Sequence, residues 1–229
     1  MAESPFSTTD AVRNYLRILL EFHARTNLSA SVLGGQMGLP IPYAHEYCFL
    51  QFRRICELIA LGCLMLHGDL PHASTVNARR EWNADKIMRL LRKLHADFFP
   101  QPATLQKTAE GRHHLEANAV VGALTRAELH TLYHECGEVL HRGSISSFEL
   151  EKPFTQDHIT RAQDWHNKLV KLMNTHIVAR ASGDSMYVFH VLGASGGPEC
   201  IVMNFDRSGA PAVHLETFRI TLTDPTQDV

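Results

Sequence analysis

The chain has little net charge, no C-x-x-C pair, no low-complexity tract and no apolar run of membrane-spanning length. Each absence excludes something. With 22 basic against 24 acidic residues the formal charge is -2, so the protein is no polyelectrolyte that grips nucleic acid through bulk charge. The five cysteines (Cys48, Cys56, Cys63, Cys136 and Cys200) are odd in number, and three of them, spaced 8 and 7 apart, share one predicted helix. They read as small buried apolar side chains in a reducing compartment, not as a disulfide framework. The opening residues MAESPFSTTD lack a basic stretch followed by an apolar core, so they do not read as a signal peptide. The longest apolar run, Leu58 to Leu66, is far short of the roughly 20 residues a bilayer needs. A cytoplasmic protein that crosses no membrane is expected.

What is there is mostly helical. Over 8–33, Val12, Leu16, Leu19 and Leu20 keep helical spacing behind the capping residues Thr8, Thr9 and Asp10, and Gly34-Gly35 ends the run. Pro40 and Pro42 introduce a second helix over 43–67. In its first half Glu46, Arg53 and Glu57 fall within about 40° of one another. From Leu58 to Leu66 every residue is apolar or glycine, which predicts burial all round. Further helices are predicted over 84–98, capped by Asn83, over 126–141, capped by Thr125, and over 156–175, capped by Thr155.

Residues 101–124 carry mixed signals and are assigned neither period. After 175 the period changes. HIVARA, MYVFHVLG and ECIVMNFDR are β-rich runs separated by turn residues, and VHLETFRITL is a candidate fourth. The expected fold class is α+β: a helical bundle over 1–175 and a small antiparallel sheet over 176–229, packed on it as one unit.

Several groups could carry chemistry. His130, His134 and His141 lie within about 40° on one helix, off its apolar stripe. His130 and His134, four apart, can chelate a metal. His141 is about 16 Å from His130 along the axis and cannot share that ion. Zinc needs three or four protein ligands, and the sequence offers two. Arg53, Arg54 and Glu57 can pair with one another on a helix surface, as a structural set or as the floor of a site.

Arginine and histidine separated by four to six intervening residues, Arg-x(4–6)-His, is a pattern some ribonucleases use. Arg17/His23, Arg89/His95, Arg161/His166 and Arg207/His214 match, against roughly three expected by chance. Arg89/His95 stands out because Arg79, Arg80, Lys86, Arg92 and Lys93 surround it. Arg89, Arg92 and Lys93 are candidate phosphate contacts; the alternative is a solvated face balanced by Glu81 and Asp85. The loop Gly193–Gly197 looks like a phosphate cradle, but it joins two strands and reads as a hairpin turn. His166 reads as a hydrogen-bonded core histidine.

A long helix carrying Arg54-Ile-Cys-Glu57, followed by a late helix reading Y-x(7)-H-x-G-S from Tyr133 to Ser144, resembles the HEPN superfamily over about residues 8–145. The resemblance implies a helical bundle, often dimeric, that is either a ribonuclease of a defence or toxin system or catalytically silent. It implies Arg54, Glu57 and His141 as catalytic, with an RNA or protein partner, a homodimer and no cofactor. The family's nuclease arginine is missing: Glu135, Cys136 and Gly137 stand where it would precede His141. Two other readings are a non-enzymatic interaction module that docks a partner by a bundle face or open sheet edge, and a metalloprotein using His130 and His134.

Overall fold

The structure is a computed structural model that describes residues 7–107, 113–118, 120–141, 153–193, 196–205 and 213–220. Among them are six helices and six strands, so the fold class is α+β, helices leading. Helix α1 (Thr8–Leu33) is capped one residue earlier than expected: the Ser7 side chain accepts from the Asp10 N–H at 3.2 Å. Helix α2 (Ile41–Leu66) starts with proline in its first turn, where a missing N–H costs nothing. A short helix α3 (Val76–Arg80), unforeseen in the sequence, precedes α4 (Ala84–Leu94). Helix α5 (Arg126–Leu140) carries a capping box between Thr125 and Glu128. Helix α6 (Gln156–Met173) completes the set.

Two helix ends fall short of expectation for local reasons. Helix α4 stops at Leu94 because His95 is extended, φ -152° and ψ 118°. Its ring turns inward, with Nε2 3.2 Å from the Ala179 carbonyl oxygen. Helix α6 ends at Met173 because Thr175 already belongs to a strand.

The undecided stretch is a hairpin of β1 (Gln101–Lys107) and β2 (His113–Ala117). Strand β1 pairs with β3 (Thr175–Ala179), which pairs with β4 (Ser185–His190). β5 (Glu199–Phe205) and β6 (Val213–Arg219) follow. The sheet is antiparallel throughout, in the order β2-β1-β3-β4-β5-β6. The expectation that the sheet is confined to residues after 175 is therefore corrected: β1 extends it on one side with residues from the middle of the chain. Between β4 and β5 the Gly193 N–H donates to the Gly197 oxygen at 2.8 Å, and residues 194–195 lie outside the described residues.

The alternating faces of the sheet have different partners. Val178, Tyr187, Phe189, Cys200 and Val202 join the helices in one core, while Ile177 and Val188 form a second small cluster with Ala103 on the opposite face. Helix α2 runs through the larger core, and Phe49, Phe52, Ile55, Cys56 and Cys63 are fully buried. It is not apolar contact all round: Leu58, Leu61 and Met65 are only half-buried. All five cysteines are free and buried. Burial pushes their thiols up, Cys48 to about 12 and the others further in the same direction, which makes them inert packing groups. No helix among the described residues is long and apolar enough to cross a membrane.

Candidate metal site between helices α4 and α5

Asn83 caps α4 by accepting from the Lys86 N–H at 3.1 Å. That cap places Asp85 in the first turn, where a carboxylate complements the helix dipole. On α5, the spacing of four stacks His130 over His134, ring centroids 4.4 Å apart. The two helices bring Asp85 to both rings. His134 Nε2 lies 2.8 Å from Asp85 Oδ2, and His130 Nε2 lies 3.9 Å from Asp85 Oδ1. The three ligand atoms all fall within 4.8 Å of one another. The aspartate is mostly covered and the imidazoles are open to solvent, with side-chain exposures of 19%, 65% and 59% for Asp85, His130 and His134.

These distances suit a small divalent ion. Zinc bonds to imidazole nitrogen and carboxylate oxygen at about 2.0–2.2 Å, so tetrahedral ligand atoms sit roughly 3.3 Å apart. The 2.8 and 3.9 Å separations run to different oxygens of Asp85, and one ligand atom from each residue falls within 4.8 Å of the other two, close enough for small side-chain rotations to reach that spacing. The exposed side leaves room for further ligands, as in sites where metal and substrate meet. Asp85 is the member sequence spacing could not supply, because it lies 45 residues before His130 and meets it only through packing. Its first-turn position after a capping Asn is the one local sign that its carboxylate is held in place.

The other candidates are disposed differently. Glu57 receives both arginines: Arg53 Nε lies 3.5 Å from Oε1, and an Arg54 guanidinium nitrogen donates to Oε2 at 3.1 Å. Arg53 also lies over Tyr133 on α5, its guanidinium carbon 4.5 Å from the ring centre, and donates to the Tyr133 hydroxyl at 3.2 Å. Arg54 is exposed. His141 is the residue that ends α5, its N–H donating to the Gly137 oxygen at 3.1 Å, and its side chain is exposed. No hydrogen bond or ion pair among the described residues joins His141 to Arg54 or Glu57. Gly137 faces Arg53, since a Cβ there would lie 3.6 Å from the guanidinium. The close α2–α5 approach is thus made by Arg53, not by Arg54. Ser144 lies outside the described residues.

Arg89, Arg92 and Lys93 are exposed along α4, while its apolar residues Ile87 and Leu91 are buried. Arg89 and His95 do not converge: Arg89 reaches back to the Asp85 carbonyl oxygen at 3.4 Å, and His95 points to Ala179. Arg161 and His166 do not pair either. Arg161 binds Glu135, which also accepts from the Trp165 indole at 3.1 Å. The His166 expectation is corrected. It is half-buried, and its buried Nδ1 has no hydrogen-bond partner among the described residues; burial lowers its pKa. Arg17 and His23 share α1, but His23 Nε2 is 3.0 Å from Asn27 Nδ2. Arg207 lies outside the described residues.

Comparison with family models, curated proteins and solved structures finds no match for this chain.

Proposed function

We propose that the protein binds a divalent transition-metal ion through Asp85, His130 and His134 and uses its open coordination positions to hold a ligand. The observation that carries this reading is the placement of the Asp85 carboxylate against both imidazoles of an i, i+4 pair. Two histidines and one carboxylate are a complete set for zinc-class ions that also keep a water or substrate position. With three protein ligands the ion can polarise a bound oxygen or lower the pKa of a bound water. Titration calorimetry of metal-stripped protein with zinc chloride tests the reading. One ion per chain is expected for the wild type, with affinity at least tenfold weaker in Asp85→Asn and His134→Ala. Absent heat, or unchanged affinity in both variants, would overturn it.

A second reading keeps a HEPN-like, defence-associated ribonuclease with Arg54, Glu57 and His141 at its centre. What favours it is the ion-paired Arg54–Glu57 group on the helix that α5 packs against. Histidine would act as acid or base and arginine would stabilise phosphate charge. RNA cleavage by wild type and His141→Ala tests it, and equal activity in the two would remove it.

A further inference from the structure

The metal site does not stand alone on its surface. The fifteen residues Arg79 to Lys93 hold six cations, Arg79, Arg80, Lys86, Arg89, Arg92 and Lys93, against two carboxylates, Glu81 and Asp85. Both carboxylates are already engaged. Glu81 accepts from the backbone N–H groups of Trp82 and Asn83 at 3.1 and 3.0 Å and lies 3.6 Å from Lys86; these contacts, the Asn83 N–H first, lower its pKa. Asp85 faces the histidines. Arg79, Arg80, Arg92 and Lys93 have no ion-pair partner among the described residues, and all six cations are exposed. Within 79–93 the cations thus outnumber the carboxylates six to two, and all six are exposed while both carboxylates are already engaged.

The placement of the cations is directional. At 100° per residue, Asp85, Arg89 and Arg92 fall within about 60° on α4, with the arginines about 6 and 10 Å down the axis from the aspartate. Trp82 stands between α3 and α4 with 64% of its surface exposed, which leaves its indole open to a stacking partner. The row of cations, the exposed indole and Asp85 share α4 and the turn before it, while His130 and His134 meet Asp85 from α5.

From this we infer that the ligand of the metal site is a single-stranded nucleic acid, its phosphates lying along Arg89 and Arg92 and one base stacked on Trp82. The inference rests on the metal reading above. Cationic grooves with aromatic platforms hold single strands without base pairing, and arginine suits phosphate through its forked donors. A phosphate of the strand can reach the ion's open positions because Asp85 heads the arginine stripe. A mononucleotide has the same phosphate chemistry but would engage only one end of the stripe.

Fluorescence anisotropy with 5′-labelled 20-mers of oligo(U) and oligo(dT) tests this, first in EDTA and then with zinc. The wild type is expected to bind in EDTA with a salt slope of about -0.7 per phosphate neutralised. Arg89→Ala/Arg92→Ala is expected to weaken binding at least tenfold and to reduce the slope by about 1.4. Trp82→Ala is expected to weaken it roughly 5- to 150-fold with the slope unchanged. Zinc is expected to tighten binding in the wild type and not in His134→Ala. Flat anisotropy, an arginine variant with wild-type slope, or competition by uridine monophosphate as strong as by unlabelled oligomer overturns the proposal. Flat anisotropy from a protein that takes up zinc in calorimetry overturns the strand alone and leaves the metal reading standing. Absent zinc uptake overturns the metal reading, whatever the oligomers do.

Discussion

The Tyr15 hydroxyl lies 2.8 Å from His176 Nε2 in the fully buried seam between α1 and β3. The other ring nitrogen, Nδ1, is 2.9 Å from the Met173 carbonyl oxygen. A carbonyl can only accept, so Nδ1 carries the proton and Nε2 accepts from Tyr15. The geometry selects a neutral imidazole, and burial lowers the His176 pKa to about 4. In the unfolded chain a histidine titrates near 6.5. The unfolded state therefore binds more protons between those two values. Stability from this group is full above pH 6.5, falls as pH drops through the window from 6.5 to 4, and is lost by about 3 kcal/mol below it. Burial lowers His45 and His67 as well, so they act in the same direction. Urea unfolding at several pH values is expected to show a steep loss of stability below 6.5. His176→Gln is expected to be less stable at pH 7, with a slope shallower by up to about 1.4 kcal/mol per pH unit. A variant with the wild-type slope would contradict the assignment.

Gly62 is where α2 makes room for the Tyr15 ring of α1. A Cβ at that position would meet Tyr15 Cε2 at 2.5 Å and Cδ2 at 2.9 Å. Tyr15 cannot swing away without breaking its bond to His176. Alanine normally gains about 1 kcal/mol over glycine inside a helix. Here overpacking costs about 1–3 kcal/mol, so Gly62→Ala is expected to be net destabilising, by up to about 2 kcal/mol, in chemical denaturation. A stabilised variant would show that the tyrosine ring yields.

Metal binding should appear as folding stability, because Asp85, His130 and His134 come from two helices and meet only in the native state. At a free zinc concentration one hundred times its dissociation constant, the wild type is expected to gain about 2.7 kcal/mol. For a chain of this size that raises Tm by about 5–10 °C. His130→Ala/His134→Ala is expected to show no rise. Both rings are exposed, so the variant should fold as well as the metal-free wild type. An equal rise in the variant would place the ion elsewhere.

The helices were legible because their signals are local. Thr125 with Glu128 and Asn83 before Ala84 act within four residues, and the stripe of α4 separates Ile87 and Leu91 from Arg89 and Arg92. The hairpin of β1 and β2 was not legible. Its outer strand reads His113-His-Leu-Glu-Ala117, with no β-branched residue, and Pro102 interrupts its inner one. Register with β3 decides it, through pairs such as Gln101 with Ile177. The candidate site divides in the same way. His130 and His134 are visible as a helical pair, whereas Asp85 joins them only by packing of α4 and α5. The role of Arg53 was likewise hidden, since Tyr133 lies 80 residues further along the chain.

That hidden role separates the two arginines of α2. Arg53 is mostly covered, stacks on Tyr133, donates to its hydroxyl and reaches Glu57, so it clamps α5 to α2. Removing it forfeits a cation–π contact worth about 0.5–2 kcal/mol and leaves Glu57, 14% exposed, with one partner fewer. Arg53→Ala is expected to cost about 1–3 kcal/mol in urea unfolding, and Tyr133→Phe about 1 kcal/mol through the lost hydroxyl bond. Arg54 is 59% exposed and holds only a surface pair, so Arg54→Ala is expected to stay within about 0.5 kcal/mol of wild type. The contrast gives the nuclease reading a clean test. If Arg54 stabilises phosphate charge, Arg54→Ala should lose RNA cleavage at unchanged stability, while Arg53→Ala should lose stability first. Full cleavage by Arg54→Ala would leave the Arg53–Glu57–Tyr133 group as a structural clamp and nothing more.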